Sequence, residues 1–288
     1  MLQPVLDARW SQRRERAREL AVTWPFAAEV LGFYAALLDA QERIFERALE
    51  DRPASKQLAA YVAEKSLGAI VEISVAGGPP AMTESVLSSF HEAELEPMIE
   101  TWLRGDSQPA VERYLARAAT GPILEALGPD AIERPASVDE RHCPACGGLP
   151  QLSTFAPSPE DLVTARRHLV CSRCATAWPF SRLTCANCGE TETKALVVLG
   201  EVGTTQAELS EQIIKARTDP EARKNAEPAQ FPHLRIDGCR SCKHFLLNVD
   251  LERNARAVPI VDEIAAIPLN LYAAERGLSK IVPNLMGF

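Results

Sequence analysis

Nothing in the sequence is long and apolar enough to cross a bilayer: no run approaches the roughly 20 residues a span requires, so none is expected. Positive charge is not in excess either. Lys and Arg number 31 against 39 Asp and Glu, a formal net charge of −8. That balance argues against general affinity for nucleic acid, whose phosphates reward clustered cations. Aromatics make up only 6% of residues, without the aromatic–basic interleaving of nucleic-acid surfaces. There is no glycine-rich phosphate loop, no Gly-x-Ser-x-Gly turn and no His-Glu-x-x-His. No catalytic constellation is therefore in view, and an enzyme is not expected. The opening, Met1 to Trp10, lacks the positive start and apolar run of a secretory signal.

Cysteine is missing from 1–142 and from 243–288. All eight lie between, as four Cys-x-x-Cys pairs with none left over: Cys143/Cys146, Cys171/Cys174, Cys185/Cys188 and Cys239/Cys242. A secreted disulfide scaffold would not keep to one spacing. Two intervening residues let the chain turn so that both sulfurs face one ion, with the amides after the first cysteine free to donate to thiolate. Gly147 and Gly189 follow two of the pairs and ease that turn by accepting positive φ. Two such knuckles supply four thiolates, which suits zinc or rubredoxin-type iron at about 2.3 Å. Sequential pairing sets Cys143, Cys146, Cys171 and Cys174 in one site and Cys185, Cys188, Cys239 and Cys242 in the other. Each ribbon then has a glycine-bearing first knuckle and a second without glycine. An interleaved cross-brace, first knuckle with third and second with fourth, is the alternative. Two metal ions, iron or zinc, each held by four thiolates, are expected either way. Such closed shells leave no position for substrate, and thiolates kept for metal fit a reducing cytoplasm. Of the five histidines, His142 and His244 flank knuckles; with the cysteine count complete they read as surface residues or as groups that support the ligands.

The first 138 residues read as helical. An arginine-rich segment, Arg9 to Arg18, reads as a solvated helix face, since Glu15 and Glu19 interrupt Arg13, Arg14, Arg16 and Arg18. A long amphipathic helix from Pro25 to about Glu50 carries Val30, Phe33, Leu37, Ile44, Phe45 and Ala48 on one stripe. One helix is expected over Ser55–Val75, then shorter ones over Thr83–Phe90, Glu92–Leu103 with Gly105 as stop, and from Pro109 until Gly121-Pro122 interrupts it. A polar linker follows. Strands are expected over Leu149–Phe155, Arg166–Val170, Thr176–Phe180, Lys194–Leu199, Leu234–Ile236 and Phe245–Val249, the hairpin logic of a rubredoxin-like ribbon used twice. Residues 201–232 read as a surface insertion with a helix from Gln206 to Arg217. A terminal helix is expected over Val258–Arg276, broken at Pro268 and stopped at Gly277. The fold class is thus α+β multidomain: an all-helical domain over 1–138, ribbons over 139–181 and 182–255, and a short helical tail over 256–288.

The runs His142-Cys143-Pro144-Ala145-Cys146-Gly147-Gly148-Leu149-Pro150, Leu169-Val170-Cys171-Ser172-Arg173-Cys174-Ala175-Thr176-Ala177-Trp178, Arg182-Leu183-Thr184-Cys185-Ala186-Asn187-Cys188 and Cys239-Arg240-Ser241-Cys242-Lys243, with Ala273-Ala274-Glu275-Arg276-Gly277 near the end, resemble the formate dehydrogenase accessory protein FdhE family. The resemblance is specific from about residue 140 onward and architectural before it. It departs at the insertion of 201–232 and at His244-Phe245-Leu246-Leu247, where the family's pattern has tyrosine and lysine. It implies a cytoplasmic accessory protein that binds the catalytic subunit of a respiratory formate dehydrogenase before twin-arginine export. A rubredoxin-like electron carrier and a zinc-ribbon nucleic-acid protein are the competing readings, distinguished by a visible spectrum and a salt-dependent gel shift.

Overall fold

The structure, a computed structural model, describes residues 3–132, 139–156, 166–201 and 229–288. The expected insertion helix over Gln206–Arg217 and residues 133–138 of the polar linker lie outside the described residues.

Seven helices come first. α1 (Gln3–Thr23) lies along α2 (Ala28–Asp51), which a short 3-10 turn at Pro25–Ala27 introduces. The α2 stripe behaves as its period demands: Phe33, Leu37, Ile44, Phe45 and Ala48 are buried, and Arg52 ends the helix in a left-handed conformation. The single helix expected over Ser55–Val75 is instead two, α3 (Leu58–Lys65) and α4 (Leu67–Gly77). They part at buried Ser66, and the change of direction sends Leu67 and Ile70 fully into the core. α5 (Pro80–Glu92) and α6 (Leu95–Arg104) follow, the latter stopped by Gly105 at φ 85°.

α7 (Ala110–Leu127) corrects a second expectation, because it runs straight through Gly121-Pro122. A proline inside a helix removes the N–H that would bond to the carbonyl four residues back. Here that carbonyl belongs to Ala118, and buried Gln41 of α2 donates to it from Nε2 at 3.0 Å. A side chain on a neighbouring helix thus replaces the missing backbone donor.

The strands form one mixed sheet. β1 (Pro150–Ala156), β2 (Arg166–Cys171) and β3 (Ala177–Pro179) make the first antiparallel ribbon. β4 (Leu196–Leu199), β5 (Leu234–Cys239) and β6 (His244–Asp250) make the second. The order is β3-β2-β1-β6-β5-β4, and β1 joins β6 in parallel, Leu152 opposite Leu247 and Phe155 opposite Asp250. At this seam the buried Asn248 Nδ2 donates to Ser153 Oγ at 2.9 Å. The two ribbons therefore stand side by side and the same way up. The registers Pro150↔Cys171 and Leu196↔Cys239 put both cysteine clusters at the same end of the sheet. A two-residue strand, β7 (Ser279–Lys280), extends β6's edge in parallel.

Side chains alternate across β6 as a strand requires. Leu246 faces the core shared with α2 to α7, whereas Phe245, Leu247 and Val249 face a second core with α1, α8 (Pro259–Ala265) and α9 (Ile267–Glu275). The expected terminal helix is these two, parted at Ala266, and Gly277 closes the second at φ 71°.

The basic face of α1 is solvated only in part: Arg18 is exposed and Arg14 half-buried, but the other two arginines turn inward. Arg13 and Arg16 are both buried. Arg13 pairs with Glu125 of α7 at 2.9 Å, and Arg16 grips Asp262 of α8 through Nε at 2.9 Å and Nη2 at 2.6 Å. Charge repeats alone could not reveal these partners, which sit 112 and 246 residues away.

Candidate metal centres

Each cysteine cluster is built by a short turn at one end of a ribbon. In the first knuckle Gly147 N donates to Cys143 O at 2.8 Å and Cys143 N donates to Gly148 O at 2.8 Å. The third repeats it, with Gly189 N to Cys185 O at 3.0 Å and Cys185 N to Glu190 O at 2.8 Å. Backbone amides point at sulfur as the spacing predicts: Arg173 N lies 3.3 Å from Cys171 Sγ and Asn187 N 3.4 Å from Cys185 Sγ. The residue after the second cysteine has positive φ in all four knuckles, at Gly147, Ala175, Gly189 and Lys243. Sequence reasoning had assigned that conformation only to the two glycines.

The sulfurs gather as Cys143, Cys146, Cys171 and Cys174, and as Cys185, Cys188, Cys239 and Cys242, each set within 4.8 Å. Sequential pairing is thus the observed geometry, and the cross-brace is not. Cys143 to Cys174 is 3.6 Å and Cys146 to Cys171 3.3 Å; Cys185 to Cys242 is 3.7 Å and Cys188 to Cys239 3.8 Å. Four sulfurs at about 2.3 Å from one ion in a tetrahedron stand about 3.8 Å apart. The second set matches that span and the first is a little contracted, while all are far too long for a disulfide, about 2.05 Å. The donor set fits a thiophilic ion. Without one, the crowded thiols do not ionise together: burial pushes the Cys185 thiol up to about 12, whereas hydrogen bonds from Cys146 and Cys171 hold the Cys143 thiol well below the ordinary range. Hydrogen bonds with Cys143 and Cys146 hold Cys171 well above the ordinary thiol range. A bound cation relieves that cost, since metal replaces the thiol protons.

His142 and His244 stand outside both shells. His142 Nδ1 is 2.9 Å from Asp139 Oδ1, and His244 Nδ1 is 2.7 Å from Cys242 O.

The sequence places Arg173 and Trp178 at the second knuckle, but what they touch follows only from the fold. Trp178 Nε1 donates to Glu140 O at 2.9 Å, closing the chain over the cysteines. Arg173, between Cys171 and Cys174, reaches into the helical region. Its guanidinium donates to Leu103 O at 3.0 Å and Trp102 O at 3.2 Å, the last carbonyls of α6, and lies 5.4 Å from the Trp102 ring. A cation at a helix C-terminus complements its carbonyls and the helix dipole. Nearby, Arg117 of α7 is enclosed with Gln151 and Glu263; burial draws its pKa down to about 10 despite the opposing field of Glu263 and Cys171. Cys-x-x-Cys spacing could locate the sulfurs, but only the three-dimensional path of α6 and α7 locates these arginines.

A helical region followed by two four-cysteine ribbons fused into one sheet defines a class of architecture. Comparisons narrow it. Residues 142–182 match "FdhE, central domain". The Aquifex aeolicus "Protein FdhE homolog" is 28% identical over 213 residues, covering 73% of this chain and 65% of that one. The Edwardsiella ictaluri homolog is 24% identical over 316 residues, covering 97% and 88%. The chain spans only 38% of the length of the Pseudomonas aeruginosa homolog it matches at 28% identity. A solved structure, "The crystal structure of the FdhE protein from Pseudomonas aeruginosa", superposes with TM-score 0.63 at 23% identity, covering 96% of this chain and 94% of that chain, which is a likeness of fold. By the domain match over residues 142–182 and these relatives, the chain is similar to the FdhE family.

Proposed function

We propose that this protein is a cytoplasmic accessory factor that binds the catalytic subunit of a respiratory formate dehydrogenase and is needed for its maturation before twin-arginine export. The observation that carries this reading is the family match centred on residues 142–182, the first cysteine cluster and its surroundings. We assign Cys143, Cys146, Cys171 and Cys174 to one metal ion and Cys185, Cys188, Cys239 and Cys242 to a second, iron or zinc. Closed four-thiolate shells offer no site for formate, so the protein would act by binding. A sheet held by two such shells presents a preorganised surface, and preorganisation lowers the ordering cost of association. Among the described residues no helix is long and apolar enough to cross a membrane.

Tagged protein from formate-respiring cells should co-purify the catalytic subunit, identified by mass spectrometry. Deleting the gene should abolish respiratory formate oxidation while leaving synthesis of that subunit intact. Unchanged formate oxidation in a deletion strain with no second copy of the gene would refute the assignment. Gently purified protein should contain two ions per chain, and its visible spectrum would tell iron, which colours thiolate sites, from zinc, which does not.

A further inference from the structure

The two clusters share a ligand chemistry but not a setting. All four cysteines of the first are buried and belong to the same apolar core as Leu37, Trp102, Leu115 and Ala118 of the helical region. The chain closes over them so tightly that a Cβ on Gly148 would stand 2.9 Å from Cys171 Sγ. The second cluster is built differently. Cys188 is exposed and Cys242 half-buried, and among the described residues none of its four cysteines belongs to either apolar core.

We infer that the second cluster is the exchangeable one, where the protein gains, loses or swaps its ion while the fold persists, and that the first is a fixed keystone. This rests on the ligand sets assigned above. A four-coordinate shell surrenders its metal when an incoming ligand reaches the ion or a thiolate swings away. Cys188 and Cys242 allow both from solvent. At the first cluster either event requires the helices to part from the sheet, and such openings of a packed core occur only as rare, cooperative fluctuations. Arg173 is the residue that holds that door, since it spans from the knuckle to the last carbonyls of α6. Loosening it should therefore speed release from the first cluster and leave the second untouched.

The test uses the full-length, zinc-loaded protein and the chromogenic chelator 4-(2-pyridylazo)resorcinol. Elemental analysis comes first: fewer than two ions per chain defeats the ligand assignment itself. With two ions present, release should be biphasic, one equivalent leaving at least ten-fold faster than the other. Iodoacetamide added during the fast phase, followed by peptide mass mapping, should label Cys185, Cys188, Cys239 and Cys242 and spare the other four. Arg173→Ala should accelerate only the slow phase, several-fold, and Cys188→Ser should affect only the fast equivalent. A single release rate for both ions, or early labelling of Cys143, Cys146, Cys171 and Cys174, overturns the inference while leaving the ligand sets standing. The labelling arm needs no variant, so it decides the matter even if a substitution misfolds.

Discussion

Gly147, Ala175, Gly189 and Lys243 do one backbone job, at φ of 71°, 54°, 78° and 61°. For a residue with a Cβ that conformation costs about 1–2 kcal/mol, and glycine escapes it. Ala175→Gly and Lys243→Gly should each stabilise the protein, by about 1 kcal/mol after glycine's greater freedom in the unfolded chain is set against the relief. Gly189→Ala should cost a similar amount, because its added Cβ would meet nothing closer than Arg141 Cδ at 4.0 Å and φ alone is at issue. Urea midpoints of the three variants check this. At the same scale, Asp262 is fully buried between His233 Nε2, at 2.8 Å, and the Arg16 guanidinium. Burial pushes its pKa up, but hydrogen bonds from His233 and Arg16 outweigh burial and hold it below the usual carboxylate value. Its stabilising contribution is thus fully present above the unfolded pKa, about 4, and is lost as pH falls through the lower folded value. Melting temperatures should decline over about pH 5 to 2, and less steeply in Asp262→Asn. Arg16→Ala at neutral pH should cost about 3–5 kcal/mol, because it leaves the buried carboxylate short of its charge partner.

Among the elements, α7 shows how a rule of sequence reading can be overridden. Gly121-Pro122 marks a break locally, and the rescue comes from Gln41, 77 positions from the Ala118 carbonyl it serves. Gln41→Leu should cost about 1–3 kcal/mol by stranding that carbonyl. Pro122→Ala restores the N–H, so the double variant should recover most of the loss in a denaturant double-mutant cycle. Elements whose logic is local were legible: the six longer strands, the α2 stripe, the Gly105 and Gly277 stops, and all eight cysteines with their preferred pairing. What was not legible depends on distant partners. The split at Ser66, the burial of Arg13 and Arg16, and the parallel seam of β1 with β6 each need a neighbour far along the chain. β7 is two residues long and carries no periodic signal at all.

For the molecule as a whole, the first cluster is common ground between helices and sheet. Chelating both ions should therefore do more than melt the ribbons: near-ultraviolet circular dichroism should lose Trp102 and Trp178 order, and thermal unfolding should shift to lower temperature and broaden. A fragment ending near residue 132 should be helical by far-ultraviolet circular dichroism yet melt less cooperatively than the full chain, since Leu115, Ala118 and Trp102 would lose the cysteine-bearing wall they pack against. A fragment melt as sharp as that of the full chain would show that the shared core is not needed for helical packing.

The side-by-side ribbons also fix a length. The clusters sit at the same end of the sheet, and the order β3-β2-β1-β6-β5-β4 separates the β1/β2 pair from the β4/β5 pair by three strand positions. At about 4.8 Å per strand, two bound ions would stand about 14 Å apart. That is too far for a shared bridging sulfur and near enough for two unpaired-electron centres to broaden each other's magnetic resonance lines. With cobalt(II) or iron(III) in both clusters, the spectrum should differ from the sum of two singly loaded forms by a dipolar term that falls with the cube of this distance. The parallel seam of β1 and β6 is then the ruler: a change in its pairing would appear as a change in magnetic coupling between sites that share no ligand.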